Sequence, residues 1–94
     1  MIERTIYKYR NRKLYDKRFS KYVTLLEIAE YIKQGDKITV RDKATDKDLT
    51  NFTLAQIVVA LLEIKDLPVR DKLTELVEML SKAVSANQPP SEEA

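Results

Sequence analysis

The sequence predicts an α+β domain, with small antiparallel β elements in the N-terminal half packed against three α-helices. Three observations carry this. Segments rich in β-formers stand at Thr5–Tyr9 and Lys37–Asp42, the second alternating with Ile38 and Val40 on one face and Thr39 and Arg41 on the other. Two capping boxes, Thr24-Leu25-Leu26-Glu27 and Thr53-Leu54-Ala55-Gln56, each open an apolar run. A third apolar series, Leu73, Leu76, Val77, Leu80 and Val84, recurs at three- and four-residue spacing.

In chain order, Thr5–Tyr9 is expected as the first strand, with Asn11 at the turn beyond it. A short extended piece at Leu14-Tyr15, a polar bend from Asp16 to Ser20 and a return strand at Lys21-Tyr22-Val23 follow. The helix opened by Thr24 runs to about Gln34 and buries Leu25, Ile28, Ala29 and Ile32. Gly35, the only glycine, stands where a helix C-terminus favours a positive φ. In the strand Lys37–Asp42, Ile38 and Val40 share one face and Thr39 and Arg41 the other. A polar turn, Lys43 to Lys47, leads to a short partner strand at Leu49. The second helix, capped by Thr53, is apolar almost all round as far as Ile64 and so needs partners on more than one side. Leu67-Pro68 ends it, Asp71 lies in the first turn of the third helix, and Asn87–Ala94 with Pro89-Pro90 reads as a disordered tail.

Composition narrows the function. With 94 residues and a 44% hydrophobic fraction, the chain builds one small core, a size at which oligomerisation commonly adds stability. It has no cysteine and no histidine, which removes disulfides, thiolate metal sites and the usual near-neutral acid–base catalyst. One glycine is too few for a phosphate-cradling loop. Asp42, Asp46 and Asp48 crowd one turn, but the glycine and terminal glutamate of a calcium loop are absent. No enzyme, cofactor or metal is expected. Charges begin at Glu3 and Arg4, and no apolar run approaches the roughly 20 residues of a membrane span. A soluble, cytoplasmic protein is expected.

The charge is polarised. The first 22 residues hold eight basic side chains against two acidic ones, and the remaining 72 hold nine against thirteen. Tyr7, Tyr9, Tyr15 and Tyr22 are interleaved with the cations. An edge hairpin blunted by charge is the plain structural explanation. Charge of one sign and prominent arginine favour a polyanion partner instead, because the guanidinium fork suits phosphates and guanine edges. The candidate contacts with double-stranded DNA are Lys8, Arg10, Asn11, Arg12, Lys13, Lys17, Arg18 and Lys21. Asn11 either touches a base or holds the turn by bonding its own backbone. Lys33, Lys37, Lys43 and Lys47 read as solubilising.

The block Lys8-Tyr9-Arg10-Asn11-Arg12-Lys13-Leu14-Tyr15-Asp16, followed by Ser20-Lys21-Tyr22-Val23-Thr24-Leu25, resembles the N-terminal DNA-binding domain of the polyhydroxyalkanoate synthesis regulators. The likeness continues through Ile28-Ala29, Val40-Arg41-Asp42, Asp48-Leu49-Thr50 and Leu54-Ala55-Gln56-Ile57. Members often have proline where this chain has Arg10 and glycine where it has Asp46, a residue that tolerates the left-handed conformation. The resemblance implies a bacterial repressor that leaves its operator on binding storage-polymer granules.

The expected organisation is therefore a DNA-binding domain over residues 1–65, a helix for core or oligomer packing over 66–86, and a tail over 87–94. The expected assembly is a homodimer or higher homo-oligomer. The alternative is a granule-associated or protein-interaction module without sequence-specific DNA binding, and an RNA-binding variant ranks third.

Overall fold

The computed structural model describes residues 2–86, so the expected tail lies outside the described residues. Seven elements follow in order: β1 (Glu3–Lys8), β2 (Leu14–Asp16), β3 (Lys21–Val23), α1 (Leu25–Lys33), β4 (Lys37–Asp42), α2 (Thr50–Leu62) and α3 (Val69–Ala86). The α+β class is as expected. One sheet holds all four strands, in the order β3-β2-β1-β4.

The sheet is mixed rather than wholly antiparallel. β1, β2 and β3 form an antiparallel meander, with Tyr7 opposite Tyr15 and Tyr15 opposite Tyr22. β4 pairs in parallel with β1, Ile6 opposite Val40 and Tyr7 opposite Arg41. The cause is α1, which lies between β3 and β4 and carries the chain back to the end from which β3 started. The next strand must then run in the direction of β3, which is also that of β1.

Alternation decides the two faces of the sheet. Ile6, Leu14, Val23, Ile38 and Val40 are buried on one face against Ile28, Ala29 and Ile32 of α1 and Ile57 and Leu61 of α2. α3 adds Leu76, Met79 and Ala83 to the same core. The Lys33 ammonium ties α3 to α1 by bonding Glu75, and it also pairs with Glu30 at 3.0 Å. The hydrogen bond to Glu75, then that to Glu30, raises the Lys33 pKa against a smaller opposing effect of burial. Lys72 donates to the Leu62 carbonyl at 2.8 Å and so closes the end of α2.

α1 is capped as predicted, with Thr24 Oγ1 accepting from the Glu27 amide and Glu27 accepting from the Thr24 amide. At its other end Gly35 has φ +95, while the Asp36 amide reaches the Tyr31 carbonyl and the Gly35 amide that of Ile32. This Schellman arrangement turns the chain sharply into β4.

The second capping box does not form. α2 begins at Thr50, and the Asp48 carboxylate accepts the Thr50 amide at 2.8 Å. Thr53 lies fully inside the helix, its hydroxyl donating to the Leu49 carbonyl at 2.8 Å. Burial decides this, because a hydroxyl in the core must find an acceptor and the carbonyl four residues back is in reach. The predicted partner strand at Leu49 reduces to an isolated bridge between Arg41 and Asp48, with the Leu49 amide bonded to the Val40 carbonyl.

Arg4 does not join the other cations at the surface. Its Nε donates to Asp36 at 2.9 Å and a terminal nitrogen donates to Asp16 at 2.7 Å. Its guanidinium carbon lies 3.6 Å from the Tyr31 ring centroid and 4.6 Å from that of Phe19. Burial alone would lower the Arg4 pKa, but the bonds to Asp36 and Asp16 outweigh it and the net shift is upward. Replacing Arg4 with alanine strands two buried carboxylates, and we expect a loss of about 3–5 kcal/mol. Urea denaturation of Arg4→Ala checks this, and a midpoint equal to wild type would show that the pair carries no net stability.

Candidate nucleic-acid interface

The hairpin between β1 and β2 is built from its own polar groups. The Tyr9 amide donates to the Lys13 carbonyl and the Arg12 amide to the Tyr9 carbonyl, each at 2.9 Å. Asn11 Oδ1 accepts the Lys13 amide at 3.0 Å, so the asparagine side chain holds the turn. Arg12 has φ 70, the left-handed position that closes a three-residue hairpin loop and usually falls to glycine. Arg10, Asn11, Arg12 and Lys13 are all exposed at this tip.

The opposite end is organised by Asp16, whose Oδ1 accepts the amides of Arg18 at 3.0 Å and Phe19 at 3.3 Å. Ser20 takes φ 53 to complete that turn. Arg18 projects here, and Lys21 lines a shallow hollow of about 380 Å³ with Arg4, Phe19 and Tyr31. The eight candidates therefore do not form one cluster. Lys8 approaches the Phe52 ring of α2, its ammonium 4.9 Å from the centroid. Arg10 to Lys13 occupy one end of the hairpin, while Arg18 and Lys21 belong to the other.

Between these ends lies the sheet face that no helix covers. Register places Tyr22, Tyr15, Tyr7 and Arg41 in one row across β3, β2, β1 and β4. Tyr15 meets Tyr22 edge to face at 5.3 Å between centroids, and Tyr9 meets Tyr15 at 6.4 Å. Three ammonium groups hang over these rings: Lys13 at 5.3 Å from Tyr22, Lys17 at 5.7 Å and Lys43 at 4.9 Å from Tyr7. Glu3 is opposite Lys37 at the far end of the β1–β4 pair.

Arg41 and Lys43 are absent from the sequence-derived set. Alternation in Lys37–Asp42 already put Arg41 on the polar face, but nothing in the sequence paired that strand with β1. The turn that follows presents them. The Asp42 carboxylate accepts the Ala44 and Thr45 amides at 2.8 and 3.0 Å, Asp46 takes φ 62, and Arg41 donates to the Asp46 carbonyl at 2.8 Å. The amides of Thr45 and then Ala44 hold the Asp42 carboxyl below the usual carboxylate range, and the Thr50 amide does the same for Asp48. These acids are thus occupied with the loop backbone. Among the described residues no acidic cluster is arranged to hold a metal ion, and no helix is long and apolar enough to cross a membrane.

A small α+β domain that covers one sheet face with helices and leaves the other lined with tyrosines and cations has the surface chemistry of a nucleic-acid binder. The chain belongs to the PHB/PHA accumulation regulator DNA-binding domain family, which matches residues 5–65, from β1 to just beyond α2. An uncharacterized protein of Allochromatium vinosum is 42% identical over 57 residues, covering 61% of this chain and 37% of that protein. A protein of Thiocystis violacea, described as an uncharacterized protein in the phbA 5′ region, is 37% identical over 57 residues, 61% of this chain and 41% of its own. The matched stretch thus spans about two fifths of these relatives' length. No solved structure matches the chain.

Two outcomes are expected from this geometry. Arg12→Gly should raise stability by roughly 0.5–1 kcal/mol, since glycine tolerates the left-handed backbone, yet weaken DNA binding by removing the charge. Paired melting and anisotropy measurements separate the two effects. The lowered Asp42 and Asp48 pKa values contribute stability that is present above the unfolded aspartate value, about 4, and is lost as pH falls through the folded values. Amide NMR shifts of Ala44, Thr45 and Thr50 should follow titrations whose midpoints lie below that of an unperturbed aspartate, about 4.

Proposed function

We propose that this chain is an operator-binding regulator, a repressor of polyhydroxyalkanoate storage metabolism, that holds duplex DNA with its basic hairpin and the cations that rim the uncovered sheet face. The observation that carries this reading is the set of cations around that face: Lys13 and Lys17 from the two ends of β2, Arg41 of β4 and Lys43 of the turn after it, with Arg10 and Arg12 exposed at the hairpin tip. Lys13 and Lys17 are four residues apart along an extended strand, about 13 Å. That is close to the roughly 12 Å width of a major groove, which admits a two-stranded ribbon. Phosphate contacts dominate affinity, and few side chains read bases. Arg12, exposed at a strained position, is the first choice for a base-edge contact, while Asn11 is occupied with the turn.

The reading includes a homodimer through α3. Val69, Leu73, Val77, Leu80 and Val84 remain exposed, Val77 by 68%, on the flank of α3 next to the face that buries Leu76, Met79 and Ala83. Val69, Leu73 and Val77 line a trough of about 780 Å³ edged by Arg70 and Glu78. Two antiparallel copies related by an axis near Thr74 would oppose each Arg70 to the partner's Glu78. The same symmetry would present two basic faces to a two-fold operator.

Fluorescence anisotropy on duplexes from the upstream region of the chain's own gene, with shuffled duplexes alongside, tests the first part. A sequence-dependent complex that survives about 0.2 M salt supports the regulator, and neutralising Arg12 and Lys13 together should flatten the salt slope by roughly two units. Equal, salt-labile binding to every duplex would replace it with a granule-associated or protein-interaction module, which the apolar stripe of α3 would then serve. For the assembly, light scattering at micromolar concentration should give a dimer mass that Val77→Glu reduces to monomer. Monomer mass for the unmodified chain would refute the α3 interface.

A further inference from the structure

Charge explains a grip on duplex DNA, but it leaves the tyrosines without a task. In a duplex each base is already stacked on its neighbours, so a ring lying outside the helix meets only edges, sugars and phosphates. An unpaired base has a free π-face, and an exposed aromatic on a sheet is a surface on which it stacks. Here Tyr22, Tyr15 and Tyr7 come from three adjacent strands in direct register, with Tyr9 packed on Tyr15. Tyr22 is 60% exposed at the free edge of the sheet. The rings are not each stacked flat on the next: Tyr15 and Tyr22 are inclined by 71° and Tyr9 and Tyr15 by 82°. The two outer rings of the row lie beside cations that can reach a phosphate, since Lys13 accompanies Tyr22 and Lys17 and Lys43 accompany Tyr7; Tyr15 stands between them against Tyr9 and Tyr22, and Arg41 ends the row. Ring plus cation, repeated across a sheet, is the recognition chemistry of a nucleotide strand whose bases are free.

We infer that the uncovered sheet face binds single-stranded nucleic acid, stacking unpaired bases on Tyr7, Tyr15 and Tyr22 while Lys13, Lys17, Arg41 and Lys43 neutralise its backbone. This activity goes beyond the duplex reading and does not depend on it. An operator grip would use the hairpin tip and the rim cations. The single-strand site needs the ring faces as well.

The chain has five tyrosines and no tryptophan, so its intrinsic emission comes from tyrosine alone. Four of the five lie on this face or at its margin, and the fifth, Tyr31, is packed under Arg4. The test titrates the full chain with oligo-dT, oligo-U and a dA·dT duplex, each of about 12 nucleotides or base pairs, within the range of single-strand sites. Anisotropy of a labelled strand and tyrosine emission, corrected for absorption, are read together. The expected result is that a single strand binds and quenches the emission, while the duplex leaves it nearly unchanged. Tyr15→Leu and Tyr22→Leu should each weaken single-strand binding roughly five- to a hundredfold, with duplex affinity changed less than twofold. Tyr22→Phe should restore binding, because it keeps the ring. The tighter of oligo-dT and oligo-U identifies DNA or RNA as the source of the strand. Tyr22 is largely exposed, so its leucine variant tests the site even if Tyr15→Leu disturbs the fold. Absence of quenching, or unchanged affinity in both leucine variants, would overturn the inference. Loss of duplex binding with the oligo-dT complex intact would instead remove the operator reading and leave this one standing.

Discussion

The Arg4 guanidinium is the point at which the separate parts of this small fold are joined. It leaves β1, bonds Asp16 at the end of β2 and Asp36 at the start of β4, and stacks on Tyr31 of α1. Each partner is itself committed elsewhere. Asp16 uses its other oxygen to shape the turn into β3, and Asp36 also lies within 3.3 Å of the Ile2 amide. A buried ion pair of this kind gains little net energy once desolvation is counted, so its main contribution is to specify geometry. It fixes how β1 is positioned against β2, β4 and α1. With one guanidinium compensating the charge of two buried carboxylates, the order β3-β2-β1-β4 gains a polar reason beside its apolar one.

From that order follows the surface to which the proposed function is assigned. Because β4 lies parallel beside β1, Arg41 enters the tyrosine row and Lys43 stands over Tyr7. Because all the sheet-covering apolar side chains lie on the other face, the row remains open. A basic N-terminal segment alone would be a charged ribbon. With the fourth strand added, it becomes a platform with cations along both ends and aromatic rings between. In the 42–48 turn the Asp42 and Asp48 carboxylates are folded back onto neighbouring amides, while that of Asp46 lies 3.7 Å from Arg41.

The molecule also tolerates local strain where the surface needs it. Arg12, Ser20 and Asp46 all take positive φ at turns where glycine would be cheaper. The chain has only one glycine, and it is placed at the C-terminus of α1, where φ +95 lies beyond what other residues adopt comfortably. At the hairpin tip, strain at Arg12 is accompanied by an exposed charge, an exchange of stability for surface chemistry. The exposed stripe of α3 is a second such concession, since a free helix gains nothing from an apolar face turned to water.

The sequence by itself determined the elements whose cause is local. The capping box at Thr24, the positive φ at Gly35 and the alternation in Lys37–Asp42 each depend on side chains and backbone within a few residues, so they were legible and came out as read. The family was legible too, through the unbroken basic-aromatic block. The tertiary structure decided whatever depended on distant partners. Arg4 looks like every other cation of its segment until Asp16 and Asp36 are brought to it. Thr53 looks like a cap until burial gives its hydroxyl to Leu49, and Lys43 reads as solubilising until the crossover through α1 sets it over Tyr7. Local hydrogen bonding fixes where a helix or turn begins, whereas the pairing of strands remote in sequence fixes which residues share a surface, and only the second of these makes a site.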